Sequence, residues 1–247
     1  MRPHPNLRLA LASMIVCTSL WLAPAFPRAA ESGPAPITPA GHGTRVLYLI
    51  RHGIYDETDP RSERIGKALT PLGREQARIV GLRLAGLPSG VSHVHASTLT
   101  RARETAEIVV QALPGRGVEP DSDLCECTPA TPRQDVMRDL APGEADSCRS
   151  QLERVVVRYF RPTSGPDSSE ALVCHGNVIR YLVCRALGAD PIRWLSMMIG
   201  HCSVTTIHVR PDGTCRLAGF SDVGHLPVEM QTYAGARMAP VDSLKRK

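Results

Sequence analysis

The sequence predicts an α/β domain, a three-layer α/β/α sandwich around a mostly parallel central sheet. Short β-branched and aliphatic runs alternate with longer segments of helical period along the chain, and such alternation makes the helices crossovers between parallel strands. Hydrophobic residues make up 43% of the chain and aromatics only 4%, so the core of such a sandwich is available and must be aliphatic.

Each element has its own signal. Arg45 to Ile50 (RVLYLI) is an unbroken apolar run that fits a buried strand. Thr70-Pro71 opens a helix, with Thr70 as N-cap and Pro71 at the first helical position. That helix turns Leu72, Ala77, Val80, Leu82 and Leu84 inward and fades at Leu87-Pro88. Val91 to Ser97 reads as a second strand, and Arg101 to Leu113 as a helix stopped by Pro114-Gly115. Gly117 to Ala145 is weakly patterned and reads as an excursion over a sheet edge, with room for one short helix. Ser150 to Tyr159 has helical spacing. Ala171 to Cys174 is a third buried strand, followed by a helix over Val178 to Leu187. Ser203 to Val209 alternates as a strand, and Pro211-Asp212-Gly213 turns it towards a hairpin partner at Thr214 to Ala218. One domain over residues 44–235 accounts for these elements, with a flexible tail at 236–247.

The first residues read differently. Arg2 and Arg8 flank a polar start, Leu9 to Ala23 is apolar but short for a membrane span, and Ala23-Pro24-Ala25 fits a small-x-small cleavage site. Residues 1–25 are expected to be a signal peptide or an uncleaved membrane anchor, and 26–43, rich in Pro, Gly, Ala and Ser, a linker. The protein is therefore expected to be exported, periplasmic or secreted, with an N-terminal anchor as the alternative. The net charge is +5, of which Arg2, Arg8 and Arg28 supply three. The remaining charge forms no stripe that would bind nucleic acid. Of eight cysteines, Cys17 lies in this leader, and the odd remainder argues against a complete disulfide framework. Cys125, Cys127 and Cys148 fall in loop-like sequence and could pair two at a time, while Cys174 and Cys184 read as core thiols.

Polar clusters follow three of the buried strands: Arg51-His52-Gly53, Ser97 to Arg101, and His175-Gly176-Asn177. The carboxyl ends of strands in an open α/β sheet face the ligand crevice, so three segments deliver Arg, His, Arg and His to one mouth. Arg51 and Arg101 can grip a phosphate with forked donors. A neutral His52 has a lone pair for in-line attack on phosphorus. A protonated His175 would add charge on the non-bridging oxygens. Gly53 would let phosphate approach the backbone, and the amides of Gly176 and Asn177 at a helix start can donate to anionic oxygen. A leaving alkoxide needs a proton, for which Glu126 is the preferred donor over Asp121 and Asp123. These charges balance a phosphate, so neither cofactor nor metal is expected. His93 and His95 alternate on a strand like a metal pair, yet no third ligand stands at suitable spacing. The other histidines, His201, His208 and His225, read as structural or exposed, Arg103 and Glu104 as a helix surface, and Thr70 and Gly73 as architecture.

At these residues the sequence resembles the histidine phosphatase superfamily, also called phosphoglycerate-mutase-like. The resemblance rests on Leu49-Ile50-Arg51-His52-Gly53, on Leu69 to Ala77 (LTPLGREQA), on Ser97 to Ala102 with Glu104-Thr105, and on Cys174 to Tyr181 (CHGNVIRY). Within the superfamily it most resembles the mitochondrial serine/threonine protein phosphatases, through Cys184 to Leu187, Arg210 to Gly213 and Gly224 to Pro227. It implies that fold and a phosphohistidine mechanism, with His52 as nucleophile, Arg51, Arg101 and His175 as phosphate pocket, and Glu126 as proton donor. Two positions depart from the pattern: Cys127 replaces the usual glycine after the acid, and Ile54 replaces a polar residue that reaches the phosphate in many relatives. The expected function is hydrolysis of phosphate monoesters, on a phosphorylated small molecule or on a phosphoprotein. A non-catalytic phosphate- or partner-binding module is the rival that absence of turnover would favour. The sequence gives no oligomeric state.

Overall fold

A computed structural model describes residues 42–233. The leader at 1–25, the linker up to residue 41 and the tail from 236 lie outside the described residues. The chain enters the fold slightly before Thr44: the His42 amide donates to the Thr163 carbonyl at 2.9 Å and Gly43 bridges Thr163.

Six strands form one sheet: β1 (Arg45–Arg51), β2 (His93–Ala96), β3 (Val118–Pro120), β4 (Ser168–Cys174), β5 (Val204–Val209) and β6 (Cys215–Asp222). Their order is β3-β2-β4-β1-β5-β6. β1 pairs parallel with β4, and β2 parallel with β4 and β3. β5 runs antiparallel to β1 and β6 antiparallel to β5. Helices cover both faces, as a sheet buried on two sides requires. Alternate residues of β1 therefore point to two cores. Leu47 and Leu49, with Leu172 of β4, pack on α4 (Glu144–Tyr159) and α5 (Gly176–Ala186) through Leu152, Val156, Ile179 and Leu182. Tyr48 and Ile50, with Ala171 and Val173, pack on α1 (Pro71–Ala85) and α2 (Thr100–Val109) through Ala77, Val80, Ala102 and Ala106. Both cores are aliphatic, each fully buried Leu or Ile contributing roughly 1.5–3 kcal/mol.

The element boundaries shift for physical reasons. In α1, Thr70 caps the helix as expected, its Oγ1 accepting from the Gly73 amide at 3.0 Å. Leu82, expected to point inward, is 53% exposed, because the buried stripe runs Gly73, Gln76, Ala77, Val80, Gly81, Leu84 and Leu82 lies on the opposite side at 3.6 residues per turn. β4 extends back to Ser168 because β1 pairs with its whole length, Arg45 opposite Ser168. α4 begins at Glu144, ahead of the predicted Ser150. Gly143 turns the chain with φ 79° and Glu144 accepts from the Ala141 amide at 3.0 Å. The weakly patterned excursion holds the edge strand β3, the four-residue α3 (Gln134–Met137) and a 3-10 turn at Ser122–Leu124. A disulfide between Cys127 and Cys148 ties it to α4, leaving Cys125 a free thiol. Asp121 and Asp123 add charged ties. Asp121 accepts from Arg158 at 2.5 Å and from the Tyr159 hydroxyl at 2.8 Å, and Asp123 from Arg154 at 2.7 Å.

The tightest join lies where the chain leaves β1. A Cβ on Gly73 would meet the Ile54 carbonyl oxygen at 2.0 Å, and one on Gly53 the Gly73 carbonyl oxygen at 2.5 Å. Neither neighbour can retreat, since both are backbone. Gly73→Ala is therefore expected to destabilise the protein by about 2–3 kcal/mol, a fall in Tm of roughly 5–10 °C. Thermal unfolding measures this, and an unchanged Tm would contradict so close an approach.

Candidate active site

The three predicted clusters do meet at one mouth. β1 and β4 end side by side, Arg51 opposite Cys174, so His52 and His175 leave adjacent strands and their ring centroids lie 5.0 Å apart. Arg101 reaches the same point from the first turn of α2. Its Nε donates to His52 Nε2 at 3.3 Å. Arg51, His52, Arg101 and His175 are all buried.

The His52 ring is held in one tautomer. Nδ1 lies 2.8 Å from the Gly53 carbonyl oxygen, an acceptor only, so Nδ1 carries the proton. Nε2, which faces Arg101, carries the lone pair. Burial first, then repulsion from the neighbouring basic groups His175, Arg51, His201 and Arg101, pushes the His52 pKa well below its ordinary value. His175 is also pushed well down, by burial and then by Arg101 and Arg51. Both rings are thereby driven towards the neutral form. Its Nε2 lies 2.8 Å from Ser97 Oγ. Arg51 keeps its charge, although burial lowers its pKa to about 10 against the pull of Glu126.

Glu126 reaches the mouth from the excursion. Its Oε1 accepts from the Asn177 amide at the start of α5 at 3.2 Å. Asn177 Nδ2 donates to the Cys127 carbonyl at 3.1 Å, holding the segment in place. Burial raises the Glu126 pKa, with Arg51, Arg101, Asn177 and Arg180 pulling the other way. The competing acids Asp121 and Asp123 are consumed by Arg158, Tyr159 and Arg154.

Two backbone assignments change. The Gly53 amide is committed to Thr105 Oγ1 at 3.1 Å, and its missing side chain is explained by Gly73. Gly53 thus has an architectural role in this geometry: its amide and its Cβ space are both taken by the protein. The Asn177 amide is engaged by Glu126, while Gly176 lies against Arg51, a Cβ there falling 3.6 Å from Nε.

Other residues at the mouth escaped the sequence reading. His201 is buried with its ring 5.7 Å from His52. Burial, then Arg51, takes its pKa to about 3. It stands there because β5 is antiparallel: the residues before β5 lie beside the end of β1, with the Cys202 amide donating to the Arg51 carbonyl at 3.0 Å. Tyr55 faces His52 edge-on at 5.5 Å and lies under Arg101 at 5.1 Å. Gln76 is fully buried, donates to the Met230 carbonyl and Thr232 Oγ1, and accepts from the Ile54 amide at 2.9 Å. Glu104, read as helix surface, accepts from the Leu69 amide at 2.9 Å and from Arg74 at 3.0 Å. The sequence signal for Gln76 and Glu104 was their place inside the quoted motifs.

Among the buried side chains around His52, Arg51 Nε, Arg101 Nη1 and His175 Nδ1 have no hydrogen-bond partner, although Arg101 Nη1 stands 3.7 Å from the exposed Glu63 carboxylate. A buried polar group left so costs roughly 1–3 kcal/mol. Three such atoms belong to the neighbours of one imidazole, and unsatisfied buried groups gathered in one place call for a functional explanation.

Comparison with known proteins agrees with this geometry. A family model described as "Histidine phosphatase superfamily (branch 1)" matches residues 47–131 and 128–222. The chain is 40% identical over 190 residues to the mitochondrial serine/threonine-protein phosphatase Pgam5 of Caenorhabditis elegans, covering 74% of this chain and 65% of the relative. It is 35% identical over 206 residues to the human protein of that name, covering 76% and 66%. The chain thus spans about two thirds of the length of these relatives. A phosphoglycerate mutase from Plasmodium falciparum has a similar structure, with 28% identity, a TM-score of 0.53, and coverage of 76% of this chain and 97% of that one. The α-ribazole-5'-P phosphatase fold from Escherichia coli gives a TM-score of 0.58 at 19% identity, covering 72% and 96%. The relatives' names place them in mitochondria. This conflicts with an exported, periplasmic or secreted protein bearing a signal peptide, and that expectation is withdrawn. No helix among the described residues is long and apolar enough to cross a membrane. With a family model spanning most of the described residues and identities of this size, the chain belongs to the histidine phosphatase superfamily, branch 1.

Proposed function

We propose that this chain is a metal-independent phosphatase that hydrolyses phosphate monoesters through a covalent phosphohistidine on His52, with phosphoserine or phosphothreonine in proteins as its substrate class. The observation that carries the chemistry is the set of unpartnered buried donors of Arg51, Arg101 and His175 around the lone pair of His52 Nε2. The substrate class is supported by the names of the relatives.

The steps follow from the geometry. The phosphoryl oxygens take the free donors of Arg51 and Arg101. With the Ser97 hydroxyl donating to His175 Nε2, Nδ1 of that ring is left to donate as well, and a bound dianion raises the pKa of His175 towards protonation. The Gly176 amide at the start of α5 adds a further donor. His52 Nε2 attacks phosphorus, an N–P bond forms and the P–O ester bond breaks. Glu126, whose pKa burial raises, gives its proton to the leaving alkoxide. In the second half Glu126, now a carboxylate, takes a proton from water as that water attacks phosphorus. The N–P bond breaks, releasing phosphate and restoring both residues. Arg51 and Arg101 supply the charge that a metal would otherwise supply.

His52→Ala is expected to reduce turnover of an aryl phosphate and of a phosphothreonine peptide to background, with wild-type turnover unaffected by a chelator and inhibited by vanadate. Persisting activity in that variant would remove His52 as nucleophile. Glu126→Gln should lower kcat/KM for alkyl phosphates and phosphopeptides by about 100-fold to 10,000-fold while leaving kcat/KM for good aryl leaving groups, which reports the first half alone, much less affected. Equal losses on both would exclude it as the acid.

The pH profile has a defined sign. His52 must be neutral, and its depressed pKa places the acidic fall in kcat/KM below the ordinary histidine range. Glu126 must be protonated, so kcat/KM on a poor leaving group falls as pH rises through its raised pKa. Glu126→Gln should abolish that alkaline fall. A fall of wild-type size in the variant would assign it to another group.

A further inference from the structure

The sheet carries a second cluster of chemically competent side chains, used by none of the steps above. His93 and His95 sit at alternate positions of β2 and so share one face. The parallel pairing of β2 with β3 sets Glu119 opposite His95. That pairing supplies the third ligand the sequence could not show. Glu119 Oε1 lies 2.8 Å from His93 Nδ1, and Oε2 lies 3.5 Å from His95 Nδ1. Ligand atoms of the three residues all lie within 4.8 Å of one another.

We propose that His93, His95 and Glu119 bind a borderline divalent cation of the zinc type at this sheet edge. Two imidazoles and one carboxylate form a donor set that suits zinc and disfavours magnesium, which takes oxygen ligands. With bonds of about 2.0–2.2 Å to a tetrahedral ion, ligand atoms stand roughly 3.4 Å apart. The His95–Oε2 separation matches that length and the His93–Oε1 separation is shorter than it. His93 and Glu119 are more than half exposed, 54% and 55%, and have room to close the remaining gap.

The surroundings of His95 carry the argument beyond a pair of surface contacts. Its Nδ1 faces Glu119 while its Nε2 lies 3.5 Å from Glu170 Oε2, a carboxylate only 9% exposed. Glu170 is in turn held by Arg45 at 3.1 Å, and the Tyr159 ring meets the His95 ring edge-on at 5.1 Å. A buried carboxylate behind one imidazole nitrogen, with the other nitrogen turned to the ligand cluster, is the arrangement that orients metal-binding histidines and raises their basicity. Three protein ligands leave a further position for water. The cluster begins at the first residue of β2, whereas the catalytic mouth lies beyond its last.

The test uses untagged full-length chain stripped with a chelator and dialysed. Zinc chloride is titrated calorimetrically, and bound zinc is counted after gel filtration. One zinc ion per chain is expected in the wild type, and equally in His52→Ala, which removes a ligand from the catalytic pocket. His93→Ala and Glu119→Gln change exposed side chains and should keep the wild-type circular dichroism while weakening zinc at least about 10-fold. Glu170→Gln should weaken it about 10–100-fold, and magnesium chloride should give no binding heat. Absence of stoichiometric zinc would overturn the proposal. So would affinity unchanged in His93→Ala and Glu119→Gln, or zinc lost in His52→Ala.

Discussion

The site depends on how β1 ends. Its last residue is held from both sides, by β4 in parallel register with Arg51 opposite Cys174, and by the Cys202 amide ahead of β5, which donates to the Arg51 carbonyl. Because β4 is parallel and β5 antiparallel, one neighbour contributes the residue after its end and the other a residue before its start. That mixed pairing brings His52, His175 and His201 to one place. The glycine contact between Gly53 and Gly73, with Gln76 beneath the Ile54 amide, then fixes the direction in which the chain leaves.

Burial and positive charge act together on what has been gathered. Two buried arginines beside two buried imidazoles make it costly for either ring to take a proton, and both are driven neutral. The same burial raises the pKa of Glu126. The two environments push the pKa values of His52 and Glu126 apart, as the proposed base and acid require. The Gly53 carbonyl selects which nitrogen of His52 keeps its lone pair. The arrangement sacrifices some stability in donors without a hydrogen-bond partner, a cost that the proposed anion pocket explains.

Much of this was legible in the sequence, for identifiable reasons. β1, α1 and the strand–helix unit of β4 and α5 were visible because apolar runs and caps are local signals. Arg51, His52, Arg101 and His175 were visible because each follows a strand or opens a helix. What escaped depends on pairing between distant segments. β3 is three residues long and gains its meaning only beside β2. His201 belongs to the mouth only because β5 is antiparallel. The roles of Asp121 and of the Cys127–Cys148 disulfide follow from where α4 crosses the excursion. Gly53 was visible as a glycine, but the sequence assigned its open space to phosphate when the Gly73 backbone occupies it.

The central claim is that His52 carries the phosphoryl group in transit, and rapid acid-free quenching during turnover of a radiolabelled phosphopeptide tests it most directly. The account predicts a transient covalent label that is stable to alkali, labile to acid, and located on the peptide containing His52. An acid-stable label, a label on another residue, or single-turnover release of phosphate with no covalent species would contradict it.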